Sequence, residues 1–176
     1  MEEVQLIDPI ETKRLLLIPY YREYVEATIE GHAALEKRCG YKVAEEWPGI
    51  DFFFYLPFAL EQMRDNPMDA QWTRLIVLKE TGEVIGEIGG QGTPTKTKEV
   101  ELGYSIVPRC QNKGYMTEAI EAMIRWFISE KMTRITAKCF TYNLASKHVL
   151  QKSDFELDYC DKDIIYWYYP LPEDVV

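Results

Sequence analysis

The chain has 176 residues, 47% hydrophobic and 28% charged. That fits one domain over residues 1–176 and excludes disordered, collagen-like and disulfide-scaffold classes. Twenty Lys/Arg against 29 Asp/Glu give a net charge of −9, so nucleic acid is a poor partner. No apolar run approaches the roughly 18 residues of a membrane span, so no membrane partner is expected. Met1-Glu2-Glu3 lacks the apolar core of a signal peptide. Cys39, Cys110, Cys139 and Cys160 form no C-x-x-C pair and only two histidines exist, which argues against a metal site. Reduced thiols and a cytoplasmic location are the expectation.

In chain order, Arg14–Ile18 reads as a buried strand stopped by Pro19. Tyr21, Tyr24, Val25, Thr28, Ile29 and His32 then recur at helical steps, which predicts one amphipathic helix with His32 as a satisfied core or rim residue. Residues 50–66 are aromatic-rich, with Pro57 read as the first turn of a helix that Asn66-Pro67 ends. Leu75–Leu78, the turn Thr81-Gly82, and Val84, Ile85 and Ile88 predict a hairpin, and Gly89, Gly90 and Gly92 are read as hairpin and loop glycines. Val100, Leu102, Tyr104 and Ile106 alternate with polar or small residues in a strand ending at Pro108. A helical stripe runs over about 115–131, a strand over 134–140, a short helix over 143–152 with Ala145, Val149 and Leu150 inward, and two final strands, the last at Ile164–Tyr169. Antiparallel hairpins followed by a β-α-β crossover imply an α/β mixed, mostly antiparallel sheet of six to seven strands with about four helices on both faces.

Residues 107–153 carry eight Lys/Arg against three Glu, a surplus of +5 that leaves −14 elsewhere. A local basic region in an acidic protein points to a small anionic ligand. Inside it lies Ile106-Val107-Pro108-Arg109-Cys110-Gln111-Asn112-Lys113-Gly114-Tyr115-Met116-Thr117-Glu118, a strand, a polar loop and a helix opening near Gly114. Unpaired amides and the helix dipole suit that opening to a phosphate, with Lys113 and Arg109 adding charge. Neither a P-loop nor a dinucleotide glycine pattern is present. Cys110 has no neighbouring base and is read as an ordinary thiol.

Gln111-Asn112-Lys113-Gly114-Tyr115-Met116 resembles the Q/R-x-x-G-x-G/A pyrophosphate loop of the GNAT superfamily of N-acyltransferases. Thr117-Glu118-Ala119, the segment Asn143-x-x-Ser146-x-x-Val149-Leu150-x-Lys152-x-x-Phe155, and Arg14-Leu15-Leu16-Leu17 after Glu11-Thr12 resemble its Rim-type branch, whose founding members acetylate ribosomal-protein N-termini. The resemblance covers nearly the whole chain. It implies the GNAT fold, with a splay between the strand at 99–107 and the strand at 134–140, and acetyl-CoA as cosubstrate.

By that resemblance Ile106 and Val107 offer backbone hydrogen bonds to pantetheine, and the amides of Gln111, Asn112, Lys113, Gly114, Tyr115, Met116 and Thr117 hold the pyrophosphate. Asn143 bonds the pantetheine arm or simply caps its helix, and Lys147 or Lys152 reaches the nucleotide phosphates. Met116 stands where the family prefers Gly or Ala, Leu150 where many relatives carry a proton-donating tyrosine, and Asp154 where a glycine precedes Phe155.

The implied reaction is attack of a neutral primary amine on the thioester. An α-amine of pKa ~8 needs less help than a lysine of pKa ~10.4. Glu101, ten residues before Gln111, is the candidate base, with Glu99 competing on the same strand face. Ser146 is a candidate proton donor or thiol contact, and His148 is read as solvated. Trp47, Phe52, Phe53, Phe54, Tyr55, Trp167, Tyr168 and Tyr169 either line an acceptor groove or belong to the core. The acidic remainder favours a cationic acceptor: a protein N-terminus, or a polyamine or aminoglycoside. A silent CoA-binding protein and a purely structural module are the other classes, and a homodimer is compatible with the aromatic edges.

Overall fold

The computed structural model describes residues 6–173. The Met1–Glu3 reading therefore lies outside the described residues. The elements run β1 (Ile10–Glu11), β2 (Leu15–Pro19), α1 (Arg22–Glu30), α2 (His32–Cys39), β3 (Lys42–Val43), α3 (Ile50–Met63), β4 (Thr73–Leu78), β5 (Glu83–Gln91), α4 (Pro94–Thr97), β6 (Glu99–Ile106), α5 (Tyr115–Ser129), β7 (Arg134–Phe140), α6 (Leu144–Lys152), β8 (Glu156–Asp161) and β9 (Ile164–Tyr168). The strands form one sheet in the order β1-β2-β4-β5-β6-β7-β9-β8, with β3 added beside β5. All pairings are antiparallel except β3–β5 and β6–β7.

The mixed, mostly antiparallel α/β class matches the sequence reading, with more elements than it gave. Among the described residues there are nine strands and six helices. The extra ones are short: β1 and β3 have two residues each and α4 has four, too few for a period to register. The single helix expected over 21–32 is instead two, because Gly31 breaks it at φ 141°, ψ 173°. His32 opens the second, and its Nε2 lies 2.5 Å from the Trp47 carbonyl, the satisfied state expected of it.

Pro57 sits inside α3 and does not start it. Its missing N–H would have met the Phe53 carbonyl, and both residues are on the exposed side of the helix, where solvent can take that oxygen. Gly89 and Gly90 are strand residues, not loop residues. A Cβ on Gly90 would come within 3.0–3.2 Å of Val100 and Phe127, so only glycine lets β5 pack this closely on α5.

Side-chain alternation along β5 separates two faces. Gly90 faces Phe127 of α5, whereas Glu87 faces Trp47, in the segment between β3 and α3. Helices therefore cover both sides. By the resemblance, the α5–α6 side would meet the acyl donor and the α1–α3 side the acceptor, so they are named the donor face and the acceptor face. Among the described residues no helix is long and apolar enough to cross a membrane, and no cluster of three or more His, Cys, Asp or Glu side chains could hold a metal ion.

Candidate active site

β6 and β7 pair only from Glu99↔Arg134 to Leu102↔Ala137. Past that point β6 continues to Ile106 and β7 to Phe140 without pairing, so the sheet opens into a slot between its two faces. This is the splay expected between 99–107 and 134–140.

Antiparallel pairing with β5 settles which β6 groups face the slot. Val107 donates its N–H to the Ile85 carbonyl at 2.9 Å. Ladder alternation then turns the backbone groups of Ser105 and Gly103 toward β5, and those of Tyr104 and Ile106 toward the missing strand. Ile106 thus has its backbone groups on the slot side, although its carbonyl also accepts from Gln111 Nε2 at 3.3 Å. Val107 does not: its N–H is spent on Ile85 and its carbonyl accepts from Cys110 at 3.0 Å. Tyr104, not Val107, shares the slot side with Ile106, which strand alternation without a known register could not show.

At the end of β6, a turn at Pro108–Cys110 leads into Gln111–Gly114 and the N-terminus of α5. Gly114 is the N-cap at φ 81°, a left-handed conformation that side chains resist. Gln111, Asn112, Lys113 and Gly114 are exposed, Thr117 is half-buried, and Tyr115 and Met116 are buried. Met116 packs in the core at 7% exposure, so its side chain turns away from the loop and its bulk is harmless there.

Arg14 was visible in the sequence only as part of a strand, but it braces this loop. It donates to the Lys113 carbonyl at 2.9 Å, pairs through Nε with Glu118 at 2.9 Å, and lies 4.4 Å over the Tyr115 ring. Glu118 also accepts from the Thr12 hydroxyl and the Arg14 amide, contacts that hold its carboxyl below the usual range despite partial burial. Arg109 corrects an expectation: it pairs with Glu83 at 2.5 Å and Glu46 at 3.6 Å and so adds no free charge to the loop.

On α6, Asn143 caps the helix by accepting from the Ser146 amide at 3.0 Å. Among the described residues its Nδ2 has no partner, so capping leaves a donor over. Ser146 Oγ lies 2.7 Å from the Tyr104 hydroxyl. Lys147 is half-buried and Lys152 exposed, five residues and roughly 8 Å apart along the helix axis. His148 is exposed as expected, but so is Ala145, which was read as inward. Leu150 is fully buried. Asp154 has φ 67°, a left-handed conformation that glycine adopts most easily and Asp is among the few other residues to adopt.

The acceptor face holds the residue that the sequence reading missed. Glu87, in the middle of β5, is 5% exposed. It accepts from Trp47 Nε1 and from Ser105 Oγ, each at 2.5 Å. Burial raises its pKa to about 7, against the lowering effect of those two hydrogen bonds. It lines a cavity of about 480 Å³ with Phe52, Tyr55, Thr73, Gln91 and Ser105, among others. Beside it the facing pair Gly89↔Gly103 adds no side chains to the floor. A glutamate inside the apolar run Val84-Ile85-Gly86-Glu87-Ile88 was the available signal.

Glu101 shares this face but stands four residues, roughly 14 Å, from Ser105 along the strand. It pairs with Lys138 at 3.4 Å on the section where β6 and β7 are still joined. Glu99 is exposed at the strand's start. Of the predicted aromatics, Trp47 is buried against Glu87, and Phe52 and Tyr55 line the cavity. Phe53 and Phe54 are exposed on α3, and Trp167 is buried beside Cys139.

Comparison with known proteins agrees with this architecture. The family model of the acetyltransferase (GNAT) domain matches residues 14–156. The uncharacterized N-acetyltransferase YjdG of Bacillus subtilis (strain 168) is 32% identical over 162 residues, covering 91% of this chain and 96% of that protein. A putative ribosomal-protein-serine acetyltransferase from Vibrio cholerae superposes with a TM-score of 0.64 at 18% identity, covering 94% and 98% of the two chains. The ribosomal-protein acetyltransferase RimL in complex with coenzyme A superposes with a TM-score of 0.63 at 18% identity, covering 92% and 96%. The domain match and the full-length relative show that the chain belongs to the GNAT family of acetyltransferases.

Proposed function

We propose that the chain, working as one domain, moves the acetyl group of acetyl-CoA to a primary amine, with a polypeptide α-amine as acceptor and Glu87 as general base. The observation that carries this reading is the buried Glu87 carboxylate on the acceptor face beside the slot. The residues on the donor face fit the cosubstrate. Backbone groups of Tyr104 and Ile106 on the slot side suit the pantetheine amides, the turn from Gln111 to Thr117 suits the pyrophosphate, and Asn143 Nδ2 suits the arm between them. Lys147 and Lys152 serve the nucleotide phosphates. When bound, acetyl-CoA supplies an acyl carbon activated by a thiol leaving group.

Glu87 removes the amine proton. Its pKa of about 7 decides which amine it serves well. Taking a proton from an α-ammonium of pKa ~8 is uphill by about one unit, or ~1.4 kcal/mol; from a lysine of pKa ~10.4 it is uphill by over three units, or more than 4 kcal/mol. Trp47 and Ser105 hold the carboxylate in place, and Glu101 with Lys138 sets charge at the rim. Ser146 faces the leaving sulfur. A second reading, a small cationic amine such as a polyamine, is favoured by one observation: Glu61, Asp65 and Asp69 line an adjoining cavity that shares Phe52, Tyr55 and Thr73 with the first.

Titration calorimetry with acetyl-CoA, using Gly114→Trp as control, tests the donor half. Acetyl transfer is then compared between a peptide with a free amino terminus, the same peptide blocked but carrying lysine, and spermidine. Binding lost in the control and preference for the free terminus support the proposal. Binding without turnover on any amine would mark a silent CoA-binding protein.

A further inference from the structure

Leu150, fully buried, cannot donate a proton, yet the donor face does not lack hydroxyls. Tyr104 lies just past the last β6–β7 pair, and its side chain shares the donor face with Val100 and Leu102. Its hydroxyl reaches α6 and meets Ser146 Oγ at 2.7 Å, joining the edge of the slot to the helix that Asn143 caps. Helical serines can spend their proton on the carbonyl four residues back, but Ser146 stands in the first turn of α6, where that residue, Tyr142, lies outside the helix. Among the described residues Ser146 Oγ has no such bond, and its hydroxyl meets Tyr104 alone.

We propose that Tyr104 is a positioning residue for the leaving group: its phenol donates to Ser146 Oγ, which leaves the Ser146 proton directed into the slot at the departing sulfur. A phenol is the better donor of the two hydroxyls. Burial pushes its pKa up to about 12, so it remains protonated at every working pH. If the bond ran the other way, Ser146 would have no proton to offer. The chain Tyr104 O–H to Ser146 O–H to sulfur also polarises along its length, strengthening the last bond.

The inference rests on the reading that acetyl-CoA occupies the slot. In the reaction Glu87 first takes one proton from the ammonium, the neutral nitrogen then bonds to the acyl carbon, and the nitrogen's second proton passes to water. The C–S bond breaks with its electron pair on sulfur. Ser146 holds that thiolate by a hydrogen bond until water protonates it. Tyr104 never touches the sulfur and acts only through Ser146.

The test uses CoA itself and needs no acceptor. The thiol pKa of bound CoA is read from thiolate absorbance across pH for the wild type, Tyr104→Phe, Ser146→Ala and the double variant, with Kd measured alongside. The wild type should lower the thiol pKa below that of free CoA. Each single variant should raise it by about half to one unit, as expected of one hydrogen bond to the charged form. The double variant should add nothing further, and Kd should change less than about threefold. Unchanged thiol pKa in Tyr104→Phe with CoA still bound overturns the inference. Folded wild type that binds no CoA overturns the acetyl-CoA reading beneath it. Ser146→Ala, on a half-exposed helix position, keeps the test decisive should Tyr104→Phe fold poorly.

Discussion

The two faces of the sheet at the slot are made of different material. On the donor face, the groups proposed to meet the ligand are mostly main chain: strand groups of Tyr104 and Ile106, and amides from Gln111 to Thr117 set by one left-handed glycine. Arg14 and Glu118 act as braces behind them. On the acceptor face, the proposed base is one side chain, Glu87, held by two others. A main-chain site is fixed by fold and tolerates varied side chains. A side-chain site depends on a few residues and their burial. The donor half should therefore respond to backbone strain and the acceptor half to single-atom changes.

The largest expected effect is on the acceptor face. Glu87→Gln should lower kcat/KM for an α-amine by about 10²–10⁴-fold, the usual range for a lost general base, with acetyl-CoA affinity unchanged in calorimetry. Equal loss of acetyl-CoA binding would erase the distinction between the faces. Gly114→Val forces a side chain to φ 81° and brings a Cβ to 3.2 Å from Arg14. It should raise the KM for acetyl-CoA by about 10–100-fold through strain of 1–3 kcal/mol, with the saturated rate nearly intact.

Stability should carry the mark of Glu87 as well. Its carboxyl has a pKa of about 7 folded, against the ordinary 4.5 of a free glutamate. The folded state therefore holds a proton that the unfolded state releases. The stabilisation is complete below pH 4.5 and is lost as pH rises through 7, about 3 kcal/mol in all. Urea unfolding at pH 5 and pH 8 should show this decline, and Glu87→Gln should flatten it.

Trp47→Phe removes one of the two hydrogen bonds to the carboxylate and should lift the kinetic pKa by about half to one unit while slowing turnover roughly 3–10-fold. The smallest effect belongs to Glu101→Gln, expected within about threefold of wild type, since its carboxylate is paired with Lys138 and stands roughly 14 Å along the strand from Ser105, the partner of Glu87. A loss as large as that of Glu87→Gln would return the base to Glu101.

The same contrast explains what the sequence could tell. The loop around Gly114 and the segment from Asn143 were legible because local backbone geometry requires particular residues in a fixed order. Glu87 was not, because its importance comes from contacts with Trp47, 40 positions earlier, and Ser105, 18 later. Periodicity marks Glu87 only as a polar residue in an apolar strand. Glu101 fitted strand alternation, but alternation gives the face and not the distance to the slot. Val107 failed for a related reason: which groups face β5 depends on register, and register is a long-range property. The split between α1 and α2 and the short strands β1 and β3 likewise arise from tertiary contacts or a single glycine.

The most direct measurement is the pH dependence of kcat/KM for acetyl transfer to a peptide with a free amino terminus, in wild type and Glu87→Gln. The account predicts an inflection near pH 7 in the wild type, in addition to that of the amine, and only the amine's inflection in the variant. An inflection near pH 7 that survives the substitution would contradict it.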